Sequence, residues 1–150
     1  ANVGQEERPL QKVASGGELS RIALAIKSVS AAHDAAAASM VFDEIDTGIG
    51  GRTAQMVAER IACIAHYKQV LCITHLPQIA SMADEHLYIA KKTEGDSTVT
   101  CVHTLVERER IREIARMASG IEITAASLDN AQEMVKRARI KKQMLCQKIV

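Results

Sequence analysis

Two adjacent carboxylates, Asp43 and Glu44, directly follow the apolar run from Met40 to Phe42. This run predicts a short buried strand that ends at the two acids. A histidine, His75, ends the next apolar segment, residues 69–74, which also predicts a strand. Ligands of open α/β sheets bind at the carboxyl ends of the strands, so the three side chains are candidates for one site. Their chemistry suits nucleotide hydrolysis: Asp43 would hold Mg²⁺, directly or through water, and Glu44 would orient an attacking water. The alternative is that the two acids are ordinary solvent-exposed residues at the end of a strand.

A glycine turn lies in the segment from Ser15 to Ser20, whose sequence is SGGELS. Gly16 and Gly17 leave the backbone N–H groups of a helix start uncovered, and the helix dipole adds about half a positive charge there. Because the Ser15 hydroxyl can also donate, the turn is predicted to bind a phosphate oxygen. Ser15 and Glu18 also have the spacing of a capping box, so a capped helix start without a ligand is the alternative.

The sequence contains no phosphate-cradling loop of the form G-x-x-x-x-G-K-[ST]. The tripeptide Gly51-Arg52-Thr53 is similar to the end of that motif, but Asp46 occupies the place of its first glycine. The chain therefore offers half of a nucleotide site: two carboxylates, a histidine and an accessory anion turn. We expect the main phosphate-binding loop to come from elsewhere.

Apolar periodicity predicts the elements that position these groups. A helix begins at Ser15, and a strand, a second helix and a second strand follow it. This alternation predicts an α/β fold with a parallel sheet core and flanking helices. The predicted inner faces are Leu19, Ile22, Ile26 and Val29 in the first helix, and Ala54, Val57, Ala58, Ile61 and Ala62 in the second.

The second half of the chain is predicted to begin with a short helix from Pro77 to about Ala83. Two strands, residues 87–91 and 98–106, follow as a late β-hairpin or as edge strands, joined by a turn at residues 94–96. Gly120 ends the next helix, and a last helix closes the chain. The predicted inner faces of these two helices are Ile111, Ile114, Ala115 and Ala118, and Leu128, Ala131, Val135 and Ala138.

The composition is that of one globular domain: 150 residues, of which 47% are hydrophobic and 25% are charged. Aromatic residues make up only 2%, which argues against a base-stacking nucleic-acid platform as the main activity. The apolar runs are too short for a membrane span, and the polar start is not a signal peptide. Since the chain does not begin with Met, we expect it to be a piece of a longer protein.

Four cysteines show no C-x-x-C spacing, which argues against a disulfide framework and favours a cytoplasmic location. Cys63 with His66, and Cys72 with His75, have a spacing that superficially suggests zinc, but Cys72 falls inside a predicted strand as a small hydrophobic residue. Residues 131–150 hold six basic residues and one acidic residue. This basic helix is either a solvated face, the interpretation we favour, or a phosphate-binding surface.

These motifs, in this order, resemble the ATPase head of the ABC class. Ser15-Gly16-Gly17-Glu18 is similar to the ABC signature, residues 40–44 to Walker B with its catalytic glutamate, residues 45–48 to the D-loop, and His75 to the switch histidine. A signature close to Walker B without a preceding Walker A resembles the C-terminal lobe of an SMC-like P-loop NTPase head. The resemblance implies that the whole chain, 1–150, is this lobe, without the N-terminal Walker A lobe and the coiled coil.

Longer segments resemble the RecN family of bacterial DNA repair proteins across nearly the whole chain. Ala14 before the signature and Glu18 within it are similar to this family, whereas transporters usually carry Leu and Gln there. The resemblance implies an ATPase in DNA double-strand-break repair and recombination, in the cytoplasm at the nucleoid, without a membrane. The segments that carry the resemblance are residues 12–25, 42–59, 73–84 and 112–120.

The resemblance also implies a role for each site residue. Ser15, Gly16 and Gly17, with Glu18 beside them, would contact the γ-phosphate of an ATP that is bound to a second, identical head. Asp43 would hold Mg²⁺, Glu44 would polarise water, His75 would bind the γ-phosphate, and Asp46 would align the two heads. Arg21 would support the interface between the heads or lie on the surface as an ordinary arginine.

The isolated fragment is expected to be inactive, because the Walker A lobe of the same protein must hold the nucleotide. DNA would be bound by the full-length protein. Two alternatives stay open: a fragment of another SMC-like or transporter ABC protein, and a non-catalytic interaction module. The intact Asp43, Glu44 and His75 argue against the second alternative.

Overall fold

The computed structural model describes residues 14–30, 39–94, 97–120 and 122–147. The chain divides into two compact units, Ala1–Thr74 and His75–Val150. The described parts are of mixed α/β class, with one small sheet in each unit. The predicted irregular start, the alanine-rich end of the first helix and the tip of the turn at residues 95 and 96 lie outside the described residues.

The first unit is built from α1 (Gly16–Ser30), β1 (Ser39–Phe42), α2 (Gly51–Ala65) and β2 (Gln69–Cys72). The two strands pair in parallel, with Met40 opposite Val70 and Phe42 opposite Cys72. The predicted parallel layer is therefore confirmed. The N–H of Ile73 continues the ladder by donating to the Phe42 carbonyl over 2.9 Å.

One face of this sheet carries exposed apolar side chains in the part of the chain that the structure describes, so the prediction of buried strands is wrong. Phe42 is buried, but its neighbour Val41 is 65% exposed. Leu71, which lies opposite Val41, and Ile73 are also exposed. Side chains alternate between the faces of a strand, so these three residues form an apolar stripe on the uncovered face.

The helices of the first unit differ in how well their inner faces were predicted. On α2, Ala54, Val57 and Ala58 are buried as expected, together with Ile64. On α1 the prediction is wrong: Leu24 is buried, whereas the predicted face of Leu19, Ile22, Ile26 and Val29 is exposed. The reason is that α1 packs against α2 through the side that carries Leu24, so the more apolar stripe stays uncovered.

The second unit contains α3 (Pro77–Met82), β3 (Leu87–Glu94), β4 (Ser97–Thr104), α4 (Glu107–Ser119) and α5 (Ala125–Gln147). The strands form an antiparallel hairpin with Leu87 opposite Thr104, which confirms the predicted hairpin. Gly120 ends α4 with a φ of 84°, as the glycine predicted. The three helices share a core of Ala80, Ile114, Ala115, Ala131 and Val135.

No helix among the described residues combines the length and the apolar character that crossing a membrane requires.

Candidate functional site

The glycine turn begins α1, and a capping box fixes it as predicted. The Ser15 N–H and the Ser15 hydroxyl each donate to Glu18 Oε2 over 2.8 Å. The Glu18 N–H donates back to Ser15 Oγ at 3.4 Å, and the first helical hydrogen bond runs from the Leu19 N–H to the Ser15 carbonyl. These two hydrogen bonds from Ser15 are the main cause that lowers the pKa of Glu18. Hydrogen bonds within the chain therefore fix this turn, and the Ser15 hydroxyl would have to leave Glu18 to donate to a phosphate.

The loop after β1 lies directly against this turn. A Cβ on Gly16 would stand 2.9 Å from Glu44 Oε2, so the catalytic candidate and the predicted phosphate turn are neighbours within one unit. A Cβ on Gly17 would lie 2.9 Å from the Glu44 carbonyl oxygen and 3.0 Å from Thr47 Cβ. Glycine at both positions thus allows the helix start to approach the loop this closely.

The two acids after β1 differ in backbone conformation rather than in exposure. The Asp43 carboxylate accepts the N–H of Glu44 through Oδ1 over 2.9 Å, and both residues are exposed. Glu44 has a φ of +55°, a left-handed conformation that residues other than glycine rarely adopt. The exposed Glu44 carboxylate therefore leaves the chain in a direction that regular strand geometry would not give.

Asp46 is buried, with only 3% of its surface exposed. Its Oδ2 accepts the hydroxyl of Thr74 over 2.6 Å, which ties the loop to the chain that leaves β2. Burial raises the pKa of the nearby Cys72 thiol to about 11, and the charges of Asp46 and Asp43 add to this effect. Cys72 is therefore a protonated thiol at neutral pH and a poor metal ligand.

The structure brings together the turn at residues 15–18 and the acids Asp43, Glu44 and Asp46, all within the first unit. His75 is the first residue of the second unit, and it precedes Leu76, the N-cap of α3.

The carboxylates after β1 suit Mg²⁺ better than a metal ion whose ligands all come from protein side chains. Mg²⁺ is usually held by one or two carboxylates, with water and phosphate oxygens completing its shell. Asp43 Oδ1 uses one of about four lone-pair positions of that carboxylate for the Glu44 N–H, which leaves the others for a cation. Within the described residues, no group of three or more His, Cys, Asp or Glu side chains is arranged to hold a metal. Asp43 thus fits as a contributor to a shared Mg²⁺ site.

Several curated proteins that are similar to this chain carry the same name. The chain is 50% identical over 137 residues to the DNA repair protein RecN of Bacillus subtilis, covering 91% of this chain and 24% of that protein. It is 50% identical over 134 residues to RecN of Halalkalibacterium halodurans, covering 89% and 24%. The match to RecN of Deinococcus radiodurans is 47% over 135 residues, covering 90% and 23%. This chain belongs to the RecN family. It spans about a quarter of the length of these relatives, and no protein-family model matches it.

Two side chains that hold this RecN-family site together were not predicted. Ser20 Oγ donates to the Asp43 carbonyl over 3.1 Å. Arg21 Nη1 donates to the Ile45 carbonyl at 3.1 Å and to the Thr47 carbonyl at 2.9 Å. Arg21 thus binds the loop of its own chain, a position that neither sequence interpretation of this residue foresaw. The partners are more than twenty residues apart, so no local pattern could have indicated them.

The basic helix α5 carries several of its charges in ion pairs. Arg137 pairs with Glu133 over 2.8 Å, and Arg139 pairs with Glu107 of α4 over 2.6 Å. Lys142 pairs with Asp84. Neighbouring acids therefore compensate part of the positive charge on this helix, which supports the solvated-face interpretation.

Proposed function

We propose that this chain is the C-terminal lobe of a RecN-type ATPase head with the P-loop NTPase fold, and that the full-length protein repairs DNA double-strand breaks through recombination. The observation that carries the proposal is the contact between the Ser15–Gly17 turn and Glu44 in one compact unit. An anion-binding helix start and a candidate water-activating carboxylate side by side suit hydrolysis of a phosphate ester. The names of the relatives supply the repair context.

Each residue then has a task in ATP hydrolysis. Asp43 would hold Mg²⁺, and the bound ion would neutralise charge that develops on the phosphates. Glu44 accepts a hydrogen bond from the attacking water and orients it, while His75 donates to the γ-phosphate. Ser15 and the two glycines that follow it bind the γ-phosphate of an ATP held by the second head, and Glu18 shapes this turn.

Asp46 contributes to the alignment of the two heads indirectly. Its carboxylate is buried and bound to Thr74, so it fixes the shape of the loop whose outer residues face the partner. The resulting homodimer holds ATP between the heads. In this proposal the protein is cytoplasmic, acts at the nucleoid and binds DNA through the full-length molecule.

The exposed sheet face supports the proposal that an N-terminal lobe covers it in the full-length protein. Parallel sheets are normally covered on both faces, yet Val41, Leu71 and Ile73 form an exposed apolar stripe. The relatives are about four times as long as this chain, so they contain ample sequence for a covering lobe. That lobe would also supply the Walker A loop that the sequence lacks.

The decisive experiment is Glu44→Gln in the full-length protein. We expect hydrolysis to slow by about 10²- to 10⁴-fold while ATP affinity is kept, because the amide cannot act as a base. Phosphate release and equilibrium ATP binding measure the two quantities. Glu85→Gln, which removes an exposed charge in the second unit, serves as the matched control and should leave turnover unchanged.

Two results would contradict the proposal. Near-normal turnover of the Glu44 variant would remove this residue from the catalytic role. If the unmodified full-length protein failed to hydrolyse ATP at all, a non-catalytic interaction module would become the better interpretation. The transporter alternative is disfavoured by the relatives, each of which carries the name of a DNA repair protein.

A further inference from the structure

Three alternate carbonyl groups of the loop after β1 are held by two consecutive residues of α1. Ser20 Oγ binds the Asp43 carbonyl over 3.1 Å. Arg21 Nη1 binds the Ile45 carbonyl over 3.1 Å and the Thr47 carbonyl over 2.9 Å. Side chains of one helix turn thus fix the backbone on both sides of Glu44.

Glu44 is the residue between these anchors, and its backbone is strained. Its φ of +55° lies in the left-handed region, where the Cβ of an ordinary residue approaches the following carbonyl too closely. Among the described residues it is the one non-glycine residue with a positive φ. Such a conformation persists only where the surrounding structure determines it, and it is most frequent at functional sites.

We propose that Arg21 is a positioning residue for Glu44. Its guanidinium holds the Ile45 and Thr47 carbonyls so that the backbone of Glu44 stays left-handed and the carboxylate points toward the glycine turn. This inference rests on the proposed function, because it gives the carboxylate of Glu44 the task of orienting water. Arg21 itself touches neither substrate nor metal.

The close approach of α1 explains why an arginine with a planar head serves here. A Cβ on Gly17 would lie 3.1 Å from Arg21 Nη1, so the guanidinium fills the space that the glycine leaves open. One nitrogen, Nη1, donates to both carbonyls, and the rigid guanidinium plane fixes the directions of its N–H groups. A lysine ammonium on a flexible stem keeps the charge but does not fix these directions.

The test uses Arg21→Ala in the full-length protein. We expect kcat for ATP hydrolysis to fall about 10- to 100-fold, because misplacing a catalytic group by about 1 Å has an effect of this size. The KM for ATP and the equilibrium affinity should stay within about twofold, since the proposed nucleotide grip is on the other lobe. Arg60→Ala, which removes the same charge from the neighbouring helix α2, is the matched control and should keep the normal kcat.

A double-variant comparison separates positioning from general support of the fold. If Arg21 acts through Glu44, adding Arg21→Ala to the Glu44→Gln variant should have little effect. The single-turnover rate of the double variant should be less than about twofold below that of Glu44→Gln alone. Equal fold losses in both backgrounds would overturn the proposal, as would a normal kcat for the single variant. Neither result would affect the proposed function, which is tested by ATP hydrolysis in the unmodified full-length protein and in its Glu44→Gln variant.

Arg21→Lys keeps the proposal testable if the alanine variant does not fold. The lysine variant should fold and bind ATP normally. It should hydrolyse ATP at least about fivefold more slowly, because a misplaced Glu44 carboxylate lowers the rate. A lysine variant with normal kcat would show that the charge, rather than the fixed geometry of the guanidinium, is sufficient, and would overturn the proposal.

Discussion

In the first unit, α1 reaches the loop after β1 through side-chain hydrogen bonds, whereas in the second unit α3, α4 and α5 pack through buried aliphatic side chains. The first unit leaves the stripe of Val41, Leu71 and Ile73 exposed. In the second unit, Ile114 and Ala131 are completely buried. The first unit also contains completely buried residues, Ile45 and Ala54. The two units therefore differ mainly in how their helices are held, by hydrogen bonds to a loop in the first and by a shared aliphatic core in the second.

A buried arginine strengthens the helical core of the second unit. Arg110 Nη2 donates to the carbonyls of Ala80, Ser81 and Ala83 over 3.3, 2.9 and 2.6 Å. These carbonyls lie at the end of α3, where the last C=O groups of a helix have no partner within the helix. Arg110 and Arg21 thus bind backbone carbonyls in the same manner, one within a closed core and the other beside an exposed site.

The largest effect in the first unit is expected for Ser15→Arg in the full-length protein. The bulky cation would fill the turn that is proposed to receive the phosphate of the opposite head, so ATP-dependent pairing of heads should be lost. ATP binding by single heads should survive. Light scattering with and without ATP measures pairing, and Ser30→Arg, at the other end of α1, is the control. Persisting ATP-dependent dimers of the Ser15 variant would contradict the assignment of the turn.

A pair of core substitutions tests the difference between the two units. Ile114→Ala removes a completely buried side chain, and we expect it to lower the free energy of unfolding by about 2 to 5 kcal/mol. Leu71→Ala removes a half-exposed side chain and should cost less than about 1 kcal/mol in this 150-residue chain. Chemical denaturation of the two variants and the parent chain gives both values.

The same Leu71 substitution sharpens the comparison in the full-length protein. If a further lobe covers the sheet, Leu71 becomes a core residue there, and its truncation should cost about 2 kcal/mol or more. An equally small effect in both proteins would mean that the stripe stays exposed and would remove this support for a covering lobe.

Sequence patterns predicted what local spacing controls. The capping box of Ser15 and Glu18 and the stop of α4 at Gly120 are confirmed, and so are three of the five residues predicted for the buried face of α2. Each depends on residues within about two helix turns of one another, which is the range that periodicity and capping rules cover.

The failures have a common physical cause. The buried side of α1 and the bare face of the sheet are decided by contacts with distant parts of the chain, which a local apolar count cannot supply. The anchors from Ser20 and Arg21 span more than twenty residues, and Glu44, with its left-handed φ, lies between the carbonyls that they bind. The motifs therefore pointed to the turn at residues 15–18 and the acids after β1 as parts of one site, but they did not indicate how the backbone there is held.

The smallest effect is expected for the basic helix of the second unit. Replacing Lys136, Arg137 and Arg139 with Ala should change the DNA affinity of the full-length protein by less than about twofold and leave its salt dependence nearly the same. The physical reason is that Arg137 and Arg139 are paired with Glu133 and Glu107, so their charge is partly compensated. Exposed pairs of this kind contribute about 0 to 1 kcal/mol, so stability should also change little.

Fluorescence anisotropy with DNA of several sequences, at a series of salt concentrations, measures this effect. A variant of Lys91 and Lys92, two exposed cations on β3, provides a control for the general loss of positive charge. Uniform weakening for all sequences, together with a salt slope that falls by about one unit for each lost phosphate contact, would show that α5 binds the DNA backbone. In that case both units would contact a ligand, the first unit ATP and the second unit DNA. The units would then differ only in the contacts that hold their helices.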